Sequence, residues 1–201
     1  MSVNRLMKEI ELPITQTVSA TLEIDSEGNI VNEIGYIVND EISKNMLICR
    51  SNGGKVLYAT TSLEQEIENF LLNYFMGPFI EEDPRRTILE NELLKSNKLT
   101  LSNKKELLFN ILNSRSFIKG KEKDQLNQQL KAIIDWRNAF AHGKVTHNTK
   151  AGCLLKYYSG GQKEYELNDK FWHTLVSVFE SSNLLIKKAK ENMLNKLYSS
   201  N

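Results

Sequence analysis

Residues 125–143 read Gln125-Leu-Asn-Gln-Gln-Leu-Lys-Ala-Ile-Ile-Asp-Trp-Arg-Asn-Ala-Phe-Ala-His142-Gly143, and the spacing of their apolar residues predicts a helix. At about 100° per residue, with Leu126 at zero, Leu130 falls at about 40°, Ile133 at about 340°, Ile134 at about 80°, Phe140 at about 320° and Ala141 at about 60°. These residues form one arc expected to face the core. Arg137 falls at about 20°, inside that arc, while Asn138 and His142 share its flank as a pair four residues apart. A guanidinium stays charged in any protein environment, so an arginine on the buried side must meet a carboxylate or an anion. Glu64, Glu66 and Glu68 are the candidate carboxylates, and an ion pair with one of them would give Arg137 a structural role.

Helical periodicity extends to both sides of this stretch. Ser62-Leu-Glu-Gln65 has the spacing of a capping box, and Leu63, Ile67, Phe70, Leu71, Tyr74 and Phe75 then recur at helical intervals until Gly77-Pro78. Shorter helices are expected over residues 84–95 and 102–118, and a loop over 119–124 leads into the helix at 125–142. Beyond Gly143, residues 154–158 and 163–167 flank Ser159-Gly-Gly161 as a β-hairpin. Asn168 is placed to cap a last helix whose Phe171, Leu175, Val178, Phe179, Leu185, Ile186 and Ala189 form one stripe.

The first 60 residues read differently. Apolar residues alternate over 14–24 and again over 30–38, with a turn at Asp25-Ser-Glu-Gly-Asn29 between them. Residues 46–50 and 55–60 flank Ser51-Asn-Gly-Gly54, a second turn rich in residues that tolerate positive φ. The expected organisation is therefore a small β-rich unit over 1–60 and a helical domain over 61–201.

With 201 residues and 40% hydrophobic composition, the chain can bury one good core. No window approaches the roughly 18 apolar residues of a membrane span. Met1-Ser-Val-Asn-Arg-Leu6 lacks an apolar signal-peptide core, so a cytoplasmic protein without a membrane partner is expected. Cys49 and Cys153 have no Cys or His at zinc-ligand spacing and are expected to be buried free thiols; neither metal nor cofactor is called for. Charge is uneven: residues 1–94 carry 7 basic and 16 acidic side chains, whereas 115–156 carry 9 basic and 3 acidic ones. A local positive balance suits a polyanion, although a solvated lysine face looks the same in sequence. His147 and His173 read as surface or capping residues, Trp136 and Trp172 as packing residues, and the lysines of 187–190 as a solvated face. Arg85 and Arg86 begin an expected helix and are open to RNA contact. No glycine-rich phosphate loop or Ser-His-Asp arrangement is legible.

Asp135-Trp-Arg-Asn-Ala-Phe-Ala-His-Gly143 resembles the signature of HEPN domains, in which an Arg, a following polar residue and a His four to six residues on close a long helix. Arg137, Asn138, His142 and Gly143 match it position for position, and the likeness of organisation runs from Ser62 to the closing helix after Asn168. The resemblance implies a mainly α fold, an antiparallel helical bundle, here preceded by a small antiparallel β unit and interrupted by a hairpin near Gly160. It also implies a metal-independent endoribonuclease acting as a homodimer, of the kind found in toxin–antitoxin, abortive-infection and antiviral defence systems. An antitoxin or a phage-encoded trigger would then be a partner. Arg137 would clamp the phosphate, His142 would act as base or acid, and Asn138 would orient the His or a phosphate oxygen, with Lys121, Lys131 and Lys144 candidates for RNA contact. Members of the superfamily also serve as non-catalytic binding or regulatory modules. Arg137 separates the two: in an open basic cleft it favours catalysis, and in a filled ion pair it favours the module.

Overall fold

The computed structural model describes residues 21–24, 26–27, 30–34, 41–78, 83–96, 98–148 and 151–198. Strand β1 (Thr21–Ile24) pairs antiparallel with β2 (Ile30–Ile34) around a turn at Ser26 and Glu27, which is the first expected hairpin; residues 14–20 and 35–38 of that expectation lie outside the described residues. Helix α1 (Glu41–Met76) follows, then α2 (Pro84–Ile88), which continues as a π turn over Leu89–Leu94. Helix α3 is Leu101–Arg115 and α4 is Gly120–His142. Strands β3 (Lys144–Asn148), β4 (Gly152–Tyr158) and β5 (Gln162–Glu166) lead to α5 (Asp169–Tyr198). The fold is mainly α with small antiparallel sheets. Among the described residues, no helix is long and apolar enough to cross a membrane.

Helix α1 corrects the reading of residues 41–60. The strands expected at 46–50 and 55–60 are helical, Ser51-Asn-Gly-Gly54 is no turn, Ser62-Leu-Glu-Gln65 lies in mid-helix, and the division at 60/61 falls inside one continuous helix. The cause is a register that only the longer window shows: Met46, Cys49, Gly53, Val56, Thr60, Leu63, Ile67 and Phe70 are buried at steps of three and four. The Thr60 hydroxyl donates to the Val56 carbonyl at 2.8 Å. Gly53 serves packing: a Cβ there would lie 2.7 Å from Phe140 Cδ1, so the missing side chain lets α4 come close. The helix stops where expected, with Gly77 at φ 81° and its N–H on the Asn73 carbonyl at 3.0 Å. Arg86 donates to the Gly77 carbonyl at 2.7 Å and is thus engaged at the end of α1, while exposed Arg85 pairs with Asp83, the N-cap of α2.

The main core joins α1, α3, α4 and α5 through Leu63, Ile67, Phe70, Leu108, Leu126, Leu130, Ile133, Ile186 and Ala189, all essentially inaccessible. Each large apolar side chain buried this way contributes about 1.5–3 kcal/mol. Thr100 caps α3 by accepting the Asn103 N–H, and the helix ends because Ser116 turns left-handed at φ 54°. The loop expected at 119–124 is already helical, since α4 begins at Gly120. Asn168 caps α5 as expected, its Oδ1 accepting the Phe171 N–H at 2.9 Å.

The expected hairpin is present in β4 and β5, with Tyr158 opposite Gln162, but β3 was not foreseen and completes the order β3-β4-β5. Val145, Leu155 and Tyr165 stand in register across the three strands. With Cys153 and Leu167 they form a second cluster against Met46 and Cys49 of α1 and Ala139 of α4. The sheet therefore braces the place where the first half of α1 meets the last turns of α4.

Candidate functional site

The buried residues of α4 are Leu126, Leu130, Ile133, Trp136 and Ala139, a step of four and then steps of three. A step of three turns the helix by about 300°, so each moves the buried line back by about 60°, and by Ala139 that line is far from Leu126. The contacts explain the drift. Trp136 meets Phe171 edge-on at 6.0 Å, Phe140 stacks on Trp172 at 5.9 Å, and Phe140 fills the space above Gly53. Once the end of α4 turns toward α5, the sheet and α1, the side that a straight helical wheel assigns to the core faces water. Arg137 is accordingly exposed, as are Asn138, Ala141 and His142, which corrects the expectation of a buried arginine.

Arg137 Nη1 donates to Asn138 Oδ1 at 3.1 Å, and among the described residues it has no carboxylate partner. The acidic row on α1 is spent elsewhere. Lys104 of α3, 3% exposed, bonds both Glu64 and Glu68, the latter at 2.6 Å, and Glu66 faces solvent. Burial works to lower the Lys104 pKa, but its hydrogen bonds to Glu64 and Glu68 outweigh that and the net direction is up. The ion pair foreseen for Arg137 exists with a different cation.

His142 ends α4, one turn beyond Asn138 on the same flank. Gly143 is required by space: a Cβ there would overlap the Ala139 carbonyl oxygen and lie 2.8 Å from the Lys156 carbonyl oxygen. Its N–H closes the helix on Ala139 O at 2.7 Å. Exposed Lys144 opens β3 directly opposite Lys156, also exposed, in β4. Like charges facing each other across strands repel unless an anion or carboxylate relieves them, and Glu164 stands beyond Lys156 in register. Lys156 was missed in sequence because only the register of β3 reveals its neighbour. Lys131 is exposed on α4, six residues before Arg137. Lys121 sits in the first turn of α4, about 30 Å along the axis from His142, and is not brought to the motif.

Trp136 is buried and Trp172 half-buried, both packing as expected. Cys49 and Cys153 are buried free thiols, again as expected. Burial, then a hydrogen bond to Cys153, pushes the Cys49 thiol up to about 12, which disfavours a nucleophilic role. His147 lies opposite Cys153 in register and is half-buried, and His173 is exposed. Lys187 and Lys188 are exposed, Lys188 pairing with Glu122. Among the described residues, no group of three or more His, Cys, Asp or Glu side chains is arranged to hold a metal ion. Comparison with family models, with curated proteins and with solved structures found no match to this chain.

Proposed function

We propose that this chain is a metal-independent endoribonuclease of HEPN type whose reacting groups are Arg137, Asn138 and His142. The observation that carries the reading is the exposed Arg137, bonded to Asn138 and without a carboxylate partner among the described residues, five positions before His142 at the end of a braced helix. RNA brings its own nucleophile. One imidazole takes the proton from the 2′-OH, the 2′-oxygen attacks phosphorus, and the P–O5′ bond breaks as a proton reaches the leaving oxygen. The products are a 2′,3′-cyclic phosphate and a 5′-hydroxyl. Arg137 neutralises the charge that grows on the phosphate oxygens, and Asn138 holds the guanidinium in place.

One protomer supplies a single histidine at the motif, whereas in-line cleavage benefits from a base on one side and an acid on the other. The working form is therefore a homodimer with the ends of two α4 helices at its axis, the closed two-fold arrangement being the commonest for oligomers. A role in antiviral defence or growth control, with an antitoxin or phage-encoded trigger as regulator, belongs to the same reading. The test is to incubate the protein with RNA in EDTA, alongside His142→Ala and Arg137→Ala. Cleavage by the wild type alone, yielding cyclic or 3′-phosphate ends and leaving DNA of the same sequence intact, is expected. Equal cleavage by the variants, or activity that EDTA abolishes, would overturn the mechanism.

A further inference from the structure

Helices α3 and α4 leave a groove of about 340 Å³ between them, well away from the motif. Its walls combine Lys105 and Phe109 of α3 with Asn127 and Lys123 of α4, and Asn110 and Asn113 add amides. Lys105 Nζ lies over the Phe109 ring, 5.6 Å from its centroid. Lys131 approaches from α4: its charge, after the larger effect of burial, helps depress the Lys105 pKa, and the neighbouring Glu106 only partly opposes this. Neither lysine makes an ion pair among the described residues. Two ammonium groups from different helices thus share one region, and Glu106, the neighbouring carboxylate, offsets their repulsion only in part. An anion would relieve that repulsion.

The groove also holds Glu106 and Asp124, so it is not a uniformly positive pocket for a polyphosphate. Lys123 Nζ donates to Asn113 Oδ1 at 2.7 Å, so what the groove offers a ligand is the Phe109 ring, the Asn110 and Asn127 amides and the Lys105 ammonium. That matches a nucleotide within a chain, with a base face for the ring, base edges for the amides and one or two phosphates for the lysines. Position supports the same occupant. Asn127, Lys131, Asn138 and His142 follow one another at steps of four, seven and four and so lie on one flank of α4. Lys131 and His142 are about 16 Å apart along the axis, a distance a few nucleotides span.

We infer that the α3–α4 groove is a docking site for single-stranded RNA, holding a nucleotide a few residues from the scissile bond, with Lys131 bridging the groove and the Arg137–His142 end of α4. The inference rests on the endoribonuclease reading for the direction of the strand, and its test separates the two. The probe is a labelled single-stranded RNA of about a dozen nucleotides with 2′-O-methyl sugars, which binds without being cut. Its affinity for the full chain is measured by anisotropy at several salt concentrations. Lys105→Gln and Lys131→Gln should each weaken binding several-fold and lower the salt slope by about one. Phe109→Leu, which keeps apolar volume against the core but removes the ring, should weaken binding about ten-fold. Circular dichroism checks that each variant is folded.

Binding by the three variants equal to that of wild type, or no binding by wild type, would overturn the groove. Stronger binding of a flexible acidic peptide than of the RNA would also overturn it, by making a protein the occupant. The same chains are then assayed on ordinary RNA. Weakened binding in the groove variants without His142-dependent cleavage by wild type would keep the groove and end the endoribonuclease reading. His142-dependent cleavage with unchanged binding and cleavage in the groove variants would keep the enzyme and end the groove.

Discussion

Lys104 and Arg137 are two cations on helices of the same bundle, and their surroundings are opposite. Lys104 lies inside the contact between α1 and α3, enclosed by Glu64 and Glu68; Arg137 is exposed at the end of α4, bonded among the described residues to Asn138. A buried cation with two carboxylates has its interactions satisfied within the fold and is poorly placed to bind anything else. An exposed guanidinium on a rigid helix end has most of its donors free for an oxyanion. The contrast predicts that the two residues divide stability and chemistry between them.

The sharpest way to break that division is His142→Ala beside Arg137→Ala. Both are surface changes, so unfolding free energy should move by no more than about 0.5 kcal/mol. RNA cleavage should fall by about 10²–10⁴-fold, which single-turnover gel assays resolve. Mixed dimers of the two variants should recover part of the activity if residues from both chains serve one reaction; full activity in a stable monomer would exclude the composite site.

Lys104→Met should do the reverse. Removing one partner of a buried ion pair leaves uncompensated charge, and since Glu64 keeps some solvent access the cost should be about 3 kcal/mol in denaturant melts. The wild-type contribution has a defined pH dependence. Because the folded Lys104 pKa is raised, its stabilisation is complete below about pH 10 and is lost as pH rises through the folded value. The gap between wild type and Lys104→Met should therefore stay constant near neutrality and close only in strong alkali.

Gly143→Ala tests whether the brace and the chemistry are linked. The added Cβ presses on the carbonyls of Ala139 and Lys156, so the turn from α4 into β3 must shift, at a cost of about 1–3 kcal/mol. Cleavage should drop more than stability implies, because the shift displaces His142. A variant of ordinary stability and full activity would show that the glycine does not set the histidine's position. The smallest effect is expected at the thiols: Cys49 and Cys153 should resist iodoacetamide at neutral pH until the chain is unfolded, and rapid labelling of the native protein would contradict their burial.

The helices after residue 62, the stop at Gly77, the β4–β5 hairpin and the Asn168 cap were legible in sequence because each rests on local rules: apolar periodicity, a glycine that turns left-handed, and a side-chain acceptor for orphan N–H groups. Residues 41–60 were misread for the same reason. Short apolar runs around Ser51-Asn-Gly-Gly54 satisfy a hairpin pattern locally, while the helical register of Met46, Cys49, Gly53 and Val56 gains its energy from α4 and the sheet, which no short window contains. The identity and order of Arg137, Asn138 and His142 belong to the sequence. Their exposure does not, because an ideal helix keeps one face buried only while its neighbours stay on one side. In α4 the neighbours change between Ile133 and Ala139, and packing against Gly53, Phe171 and Trp172 leaves Arg137 in solvent and the place between the carboxylates to Lys104.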